Sequence, residues 1–124
     1  MSQEQKSEFV ESIEIAEGSA RGSIENETDG FPAGFVDVHV SGNSDFVRKF
    51  KKEGNENDRN QHYEIGGVHI TKDSYKGGYR IKINSLPYQN VNVKEKAYRK
   101  FLNYMRSEGY LQDRVEAYIN SRLD

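Results

Sequence analysis

The sequence predicts an α+β protein: an antiparallel sheet of four to five strands, a short middle helix and two C-terminal helices packed on one face. Val and Ile total 17 residues against four Leu, and β-branched side chains suit a pleated strand better than a helix. Several segments alternate apolar and polar residues, and helical spacing follows towards the C-terminus. The length of 124 residues favours a single domain, 1–124.

The first element is predicted to be a strand. Residues 1–8 are polar, and we expect them to be frayed. Phe9, Ile13 and Ile15 then place apolar side chains at odd positions with polar residues between them, which favours a strand. A helix from Ser2 to Ser12 is the alternative.

Two further strands are predicted before the middle helix. Residues 20–26 offer few apolar side chains to a core and predict a weak edge strand. Val36, Val38 and Val40 alternate with Asp37 and a histidine, which indicates a strand with one buried face.

The middle helix is predicted from its cap and its apolar face. Residues 43–45 offer polar side chains for an N-cap, and Phe46, Val47 and Phe50 fall on one helical face. Residues 54–61 begin with glycine and contain nothing to bury, so we expect a mobile loop there.

A hairpin is predicted at the centre of the sheet. The apolar parity changes within residues 62–72, and the glycine pair 66–67 at the change predicts a β-bulge in one strand. Residues 73–78 have the composition of a hairpin loop, and residues 79–83 alternate apolar and basic side chains. These two strands should pair.

Two helices are predicted after the sheet. Asn92 as a cap with Glu95 opens the first, and Gly109 ends it. Its buried stripe repeats every four residues, at Val93, Ala97, Phe101 and Met105. Leu111, Val115 and Ile119 have the same spacing and predict the second helix, with Asp113 and Glu116 as its cap.

Charge is segregated along the chain. Residues 1–45 contain ten acids against Lys6 and Arg21, while residues 46–124 contain ten acids against 16 bases. The formal net charge of −2 therefore combines an acidic first part with a basic second part. Such asymmetry steers association with partners but does not specify a fold.

No motif indicates catalysis, a cofactor or a metal. The chain lacks cysteine, which excludes disulfides, thiolate metal sites and a thiol nucleophile. His39, His62 and His69 lack the spacing of a helical zinc site. Neither a nucleophile elbow nor a glycine-rich phosphate loop occurs. We therefore expect a protein that is not an enzyme and that holds no cofactor or metal.

The first functional hypothesis is binding of a protein or nucleoprotein partner. In its size, its segregated charge and its lack of motifs, the chain resembles small accessory proteins that act by binding, such as phage-type inhibitors and immunity proteins. The carboxylates could meet a basic partner, by lying where phosphates would bind, or the basic part of a second copy in a homodimer. The predicted acidic contacts are Glu8, Glu11, Glu14, Glu17, Glu25 and Asp37. No apolar run is long enough for a membrane span or a secretion signal, which favours a cytoplasmic protein.

The alternative hypothesis is a nucleic-acid-binding or phosphate-ligand-binding domain. Residues 72–106 interleave basic side chains with five tyrosines, and such a mixture suits phosphates and unstacked bases. The predicted contacts are His69, Lys72, Lys76, Arg80, Lys82, Arg99 and Lys100. The pI near 5.9 and the inward parity of Tyr79 argue against it.

Overall fold

The computed structural model describes residues 7–24, 34–57, 62–73, 77–83, 91–112 and 117–123. The elements follow in the order α1 (Glu8–Gly22), β1 (Gly34–Val40), α2 (Asp45–Glu53), β2 (Asn55–Asn57), β3 (His62–Ile65), β4 (Val68–Lys72), β5 (Tyr79–Ile83), α3 (Val91–Ser107) and β6 (Ala117–Leu123). The predicted α+β class is confirmed.

The strands form one antiparallel sheet in the order β2-β3-β4-β5-β1-β6. Five strands have four to seven residues, and the three-residue β2 lies at one edge. The early strand β1 lies between β5 and the last strand, β6. Sheet assembly therefore depends on pairing between distant parts of the chain.

The described helices and one face of the sheet enclose a single core. Along β5, the buried Tyr79, Ile81 and Ile83 alternate with exposed Arg80 and Lys82. The buried strand side chains share one hydrophobic cluster with aromatic and aliphatic side chains of the helices, among them Phe9, Ile13, Phe46, Phe50, Phe101 and Leu102. The alternate side chains of the strands point to the other face, where the described ones are half-buried or exposed.

The first element is a helix, and the predicted strand there is wrong. Phe9, Ile13, Ala16 and Ala20 are buried at helical spacing, whereas Ile15 is exposed. Small alanines complete the buried stripe, and a reading that counted only large apolar residues missed them. The Ser7 hydroxyl accepts a hydrogen bond from the Val10 N–H at 3.1 Å and caps the helix.

The helix α1 also overlaps two neighbouring predictions, the frayed residues 1–8 and the strand 20–26. Ser7 and Glu8 belong to the helix cap and first turn, while residues 1–6 lie outside the described residues. The predicted strand 20–26 is wrong at its start, because residues 20–22 form the last turn of α1. The remainder of that prediction after residue 24 lies outside the described residues.

The second predicted C-terminal helix is also wrong. Ala117–Leu123 is the strand β6, and all seven residues pair with β1. Three apolar residues at a spacing of four were too few to establish a helix, and the unpaired edge of β1 provides backbone partners that the local pattern does not show. Residues 113–116 lie outside the described residues.

The predicted β-bulge is a two-residue turn between β3 and β4. Ile65 pairs with Val68, and Gly66 and Gly67 between them have φ values of 53° and 86°. Positive φ at both positions matches a type I′ hairpin turn. The change in parity arises because the chain reverses there.

The prediction of α2 is confirmed, whereas the predicted loop 54–61 and the predicted Asn92 cap are wrong in part. The Ser44 hydroxyl accepts from the Val47 N–H at 3.2 Å and caps α2. The expected loop 54–61 is ordered over Asn55–Asn57 as β2, whereas residues 58–61 lie outside the described residues. Helix α3 begins at Val91, so Asn92 lies within its first turn.

Candidate binding surfaces

Helix α1 presents an exposed acidic strip. Glu8 and Glu11 are exposed, and Glu14 is half-buried. Ile15, the residue after Glu14, is 53% exposed. Steps of three and four residues bring these side chains to one side of the helix, opposite the buried stripe. The name acidic strip is used for Glu8, Glu11, Glu14 and Ile15. The sequence pattern did not reveal Ile15, which was predicted to lie inside a strand.

The other predicted acids do not extend this strip. Glu17 is only 8% exposed, and its two oxygens accept hydrogen bonds from Arg21 Nε at 2.7 Å and Nη2 at 3.1 Å. This hydrogen bond and the opposite charge raise the pKa of Arg21. Asp37 lies in β1 on the side of the strand opposite Val36 and Val38. Glu25 lies outside the described residues.

The side of the sheet opposite the core forms a second surface, the open sheet face. One row of register partners crosses five strands and consists of His62, Thr71, Arg80, His39 and Tyr118. A second row consists of Glu64, His69 and Lys82. All three histidines of the chain therefore share this face, which spacing along the sequence could not show.

His39 is held between two strands and a loop. Its Nε2 lies 2.7 Å from the carbonyl oxygen of Gly77, which can only accept, so Nε2 carries the proton and donates. The ring stacks on Tyr118 with centroids 5.1 Å apart and planes 29° apart. Tyr118 is 40% exposed and presents an aromatic surface on the open sheet face.

His62 and His69 contact each other directly. His62 Nε2 lies 2.7 Å from His69 Nδ1, and Thr71 Oγ1 lies 3.4 Å from His62 Nδ1. The ring planes are 90° apart, with centroids separated by 4.9 Å. Partial burial lowers the pKa of His69, the positive charges of His62 and Lys82 lower it further, and Glu64 opposes the shift.

The predicted basic residues divide among several places. His69, Arg80 and Lys82 meet on the open sheet face, where Arg80 Nε also lies 3.8 Å from Asp73 Oδ2. Lys72 is a register partner of buried Tyr79, and its Nζ lies 5.5 Å from that ring centroid. Lys72 therefore belongs near the helix-covered side, where Lys51 Nζ lies 5.7 Å from the same ring.

The remaining basic and aromatic candidates lie on α3 or outside the described residues. Arg99 and Lys100 are exposed on α3 and do not belong to the open sheet face. Arg99 Nη2 lies 3.7 Å from Glu95 Oε2. Lys76 lies outside the described residues. Tyr98 is buried, its hydroxyl accepts from the Ile83 N–H at 3.1 Å, and burial raises its pKa. The basic segment is therefore not one continuous patch.

A cleft lies between α3 and the edge strand β6. It has a volume of about 430 Å³ and is lined by Glu95, Arg99, Leu102, Asn103, Arg106, Ala117, Tyr118 and Ile119. Arg106 Nη2 donates to the carbonyl oxygen of Ala117 at 3.0 Å and joins the helix to the strand. The sequence pattern does not reveal this cleft, because it predicts a helix where the structure has the start of β6.

Neither a metal cluster nor a membrane-spanning helix is found within these described ranges. No group of three or more His, Asp or Glu residues there could hold a metal ion. The described helices also lack the length and apolar content required to cross a bilayer. No family model, curated protein sequence or solved structure matches the chain.

Proposed function

We propose that this protein acts by binding a basic protein or nucleoprotein partner through the acidic strip of α1. The exposure of Ile15 beside Glu8, Glu11 and Glu14 carries this proposal. An exposed apolar side chain on a helix can enter a pocket of a partner, while the surrounding charges select the partner and accelerate encounter. The protein would act as an inhibitor or regulator and would need no catalytic group.

The chemistry of the strip indicates what kind of surface it fits. Glu8 and Glu11 are one turn apart, so their carboxylates can occupy adjacent cationic positions on a partner. Carboxylates spaced in this way suit a surface that otherwise binds phosphates. Glu17 makes no part of the proposed contact, because Arg21 neutralises it within α1.

The first experiment is capture of partners by the tagged protein from lysate of its source cells, with and without nuclease treatment. A stoichiometric protein partner that survives nuclease is expected. Glu11→Lys and Ile15→Ser should each reduce its recovery at least about tenfold, since loss of a central contact often exceeds 1.4 kcal/mol. Glu53→Lys is the matched control, because Glu53 is exposed on α2 and lies off the strip. Equal recovery with all variants would overturn the proposal.

A second candidate function is binding of single-stranded nucleic acid or another phosphate ligand on the open sheet face. The observation that favours it is that His69, Arg80 and Lys82 lie on the open sheet face, which also carries the exposed ring of Tyr118 two strands from Arg80. Cations would meet phosphates and the aromatic ring would stack on a base. Glu64 and Asp37 on the same face reduce its positive potential, and for this reason the acidic strip is preferred.

Salt dependence tests this second candidate. A single-stranded RNA oligonucleotide should bind more weakly as salt rises, with a logarithmic slope of about −0.7 per neutralised phosphate. The double variant Arg80→Gln/Lys82→Gln should reduce that slope by about 1.4 if both residues contact phosphates. Lys49→Gln/Lys52→Gln on exposed positions of α2 provides a control of equal charge change. A slope that does not change in the Arg80 and Lys82 variant would exclude their role.

A further inference from the structure

We propose that His62 and His69 form a two-imidazole binding site for a divalent transition-metal ion on the open sheet face. The observation that supports this site is the distance of 2.7 Å between His62 Nε2 and His69 Nδ1. Neutral imidazole nitrogens are common ligands of Zn²⁺, Ni²⁺ and Cu²⁺. Two protein ligands leave the other coordination positions to water or to a group of a partner.

The distance between the two nitrogens is close to what a metal ion requires. With metal–nitrogen bonds of about 2.0–2.1 Å, two ligands of a tetrahedral ion lie about 3.4 Å apart and two adjacent ligands of a square-planar ion about 2.9 Å apart. The rings must therefore separate by less than an ångström from the observed 2.7 Å. Both side chains stand on paired strands with fixed register, and each ring must also turn so that its lone pair points at the ion and not at the other nitrogen.

The hydrogen bonds around the pair permit both nitrogens to bind a metal. If His62 Nδ1 donates its proton to Thr71 Oγ1, at 3.4 Å, the lone pair of His62 Nε2 faces His69. His69 Nδ1 then donates to that lone pair in the metal-free protein. When a metal ion enters, the His69 proton moves from Nδ1 to Nε2. Both imidazoles remain neutral, and an outer partner orients His62 as in many metal sites.

The charged residues beside the histidine pair have opposite effects on the binding of a cation. Glu64 is the register partner of His69 and adds a negative charge, while one of its oxygens accepts from the Gly67 N–H at 3.0 Å. Lys82 is the partner of His69 on the other side and opposes a cation. Because Lys82 is exposed, its amine can turn into solvent.

Calorimetric titration with Zn²⁺ tests the site in the full-length chain. The wild type should bind one ion in a saturable manner. His62→Ala and His69→Ala should each weaken binding at least about tenfold, since loss of even an outer-shell partner costs about 10–100-fold. His39→Ala is the matched control because His39 lies on the same face but bonds to Gly77. Its affinity should equal that of the wild type.

A spectroscopic measurement keeps the test valid if a histidine variant misfolds. In NMR spectra of the histidine ring nitrogens of the wild type, Zn²⁺ should shift His62 Nε2 and His69 Nδ1 and leave His39 unchanged. Absence of saturable binding, or equal losses in all three alanine variants, would overturn the proposal. Glu11→Lys on α1 should leave Zn²⁺ affinity unchanged, so this result is independent of the proposed partner-binding function.

Discussion

At the residue scale, the turn between β3 and β4 shows how backbone conformation restricts side-chain choice. Gly66 and Gly67 both have positive φ, at 53° and 86°. An L-residue with a Cβ atom meets steric repulsion in this region. The requirement is conformational, because a Cβ added to Gly67 would meet no heavy atom within 4 Å.

Gly67→Ala should therefore destabilise the protein by about 1–2 kcal/mol, the usual cost of a left-handed conformation. The matched variant Gly18→Ala should stabilise it by about 0.5–1 kcal/mol, because Gly18 lies within α1 and a Cβ there also has open space. Urea unfolding of both variants measures the two changes. If both variants shifted stability in the same direction, the assigned turn or helix would be incorrect.

At the element scale, Tyr98 connects α3 to the end of β5. Its hydroxyl accepts from the Ile83 N–H at 3.1 Å, and its side chain is only 5% exposed. A tyrosine in the basic segment could be read as a stacking surface for bases. Its burial instead gives it a structural role, because it satisfies a backbone donor where the strand ends.

Tyr98→Phe should destabilise the protein by about 1–3 kcal/mol at pH 8, because the buried Ile83 N–H loses its acceptor. Burial raises the pKa of Tyr98 above its ordinary value of 10.0, so the unfolded state ionises first as pH rises. The free energy of unfolding of the wild type should therefore fall above about pH 10 as Tyr98 ionises. The difference in stability between the wild type and Tyr98→Phe should then become smaller.

Urea unfolding of the wild type and of Tyr98→Phe at pH 8 and pH 10.5 tests whether the stability difference shrinks as pH rises. Tyr118→Phe is the control, since Tyr118 is exposed and its loss of a hydroxyl should change stability little. A deficit for Tyr98→Phe that grows with pH would contradict the assignment.

At the scale of the whole molecule, the sheet joins distant parts of the chain. Gly34 pairs with Leu123, and β1 pairs with β5 and β6 rather than with a sequence neighbour. The chain must lose conformational entropy to bring these distant segments together before their contacts form. Folding is therefore slower than that of a helical bundle.

Refolding after dilution from urea should therefore take milliseconds to seconds, in the range typical of non-local topologies. Stopped-flow fluorescence of the tyrosines measures it. Relaxation within microseconds would indicate that β6 joins the sheet only after the principal folding step.

The sequence by itself determined the elements whose local pattern agrees with their burial. In β5, buried and exposed side chains alternate, in β1 the buried Val38 and Val40 alternate with half-buried residues, and α2 combines a polar cap with a complete apolar face. Their patterns were sufficient because one face of each element contacts the core and the other contacts solvent.

Only the tertiary structure decided α1, β6 and the histidine pair. The buried stripe of α1 depends on alanines that become core residues because the other helices approach them closely. Strand β6 forms because the edge of β1 requires hydrogen-bond partners from elsewhere in the chain. His62 and His69 are seven residues apart, and their nitrogens meet because a two-residue turn sets the register of the strands that carry them.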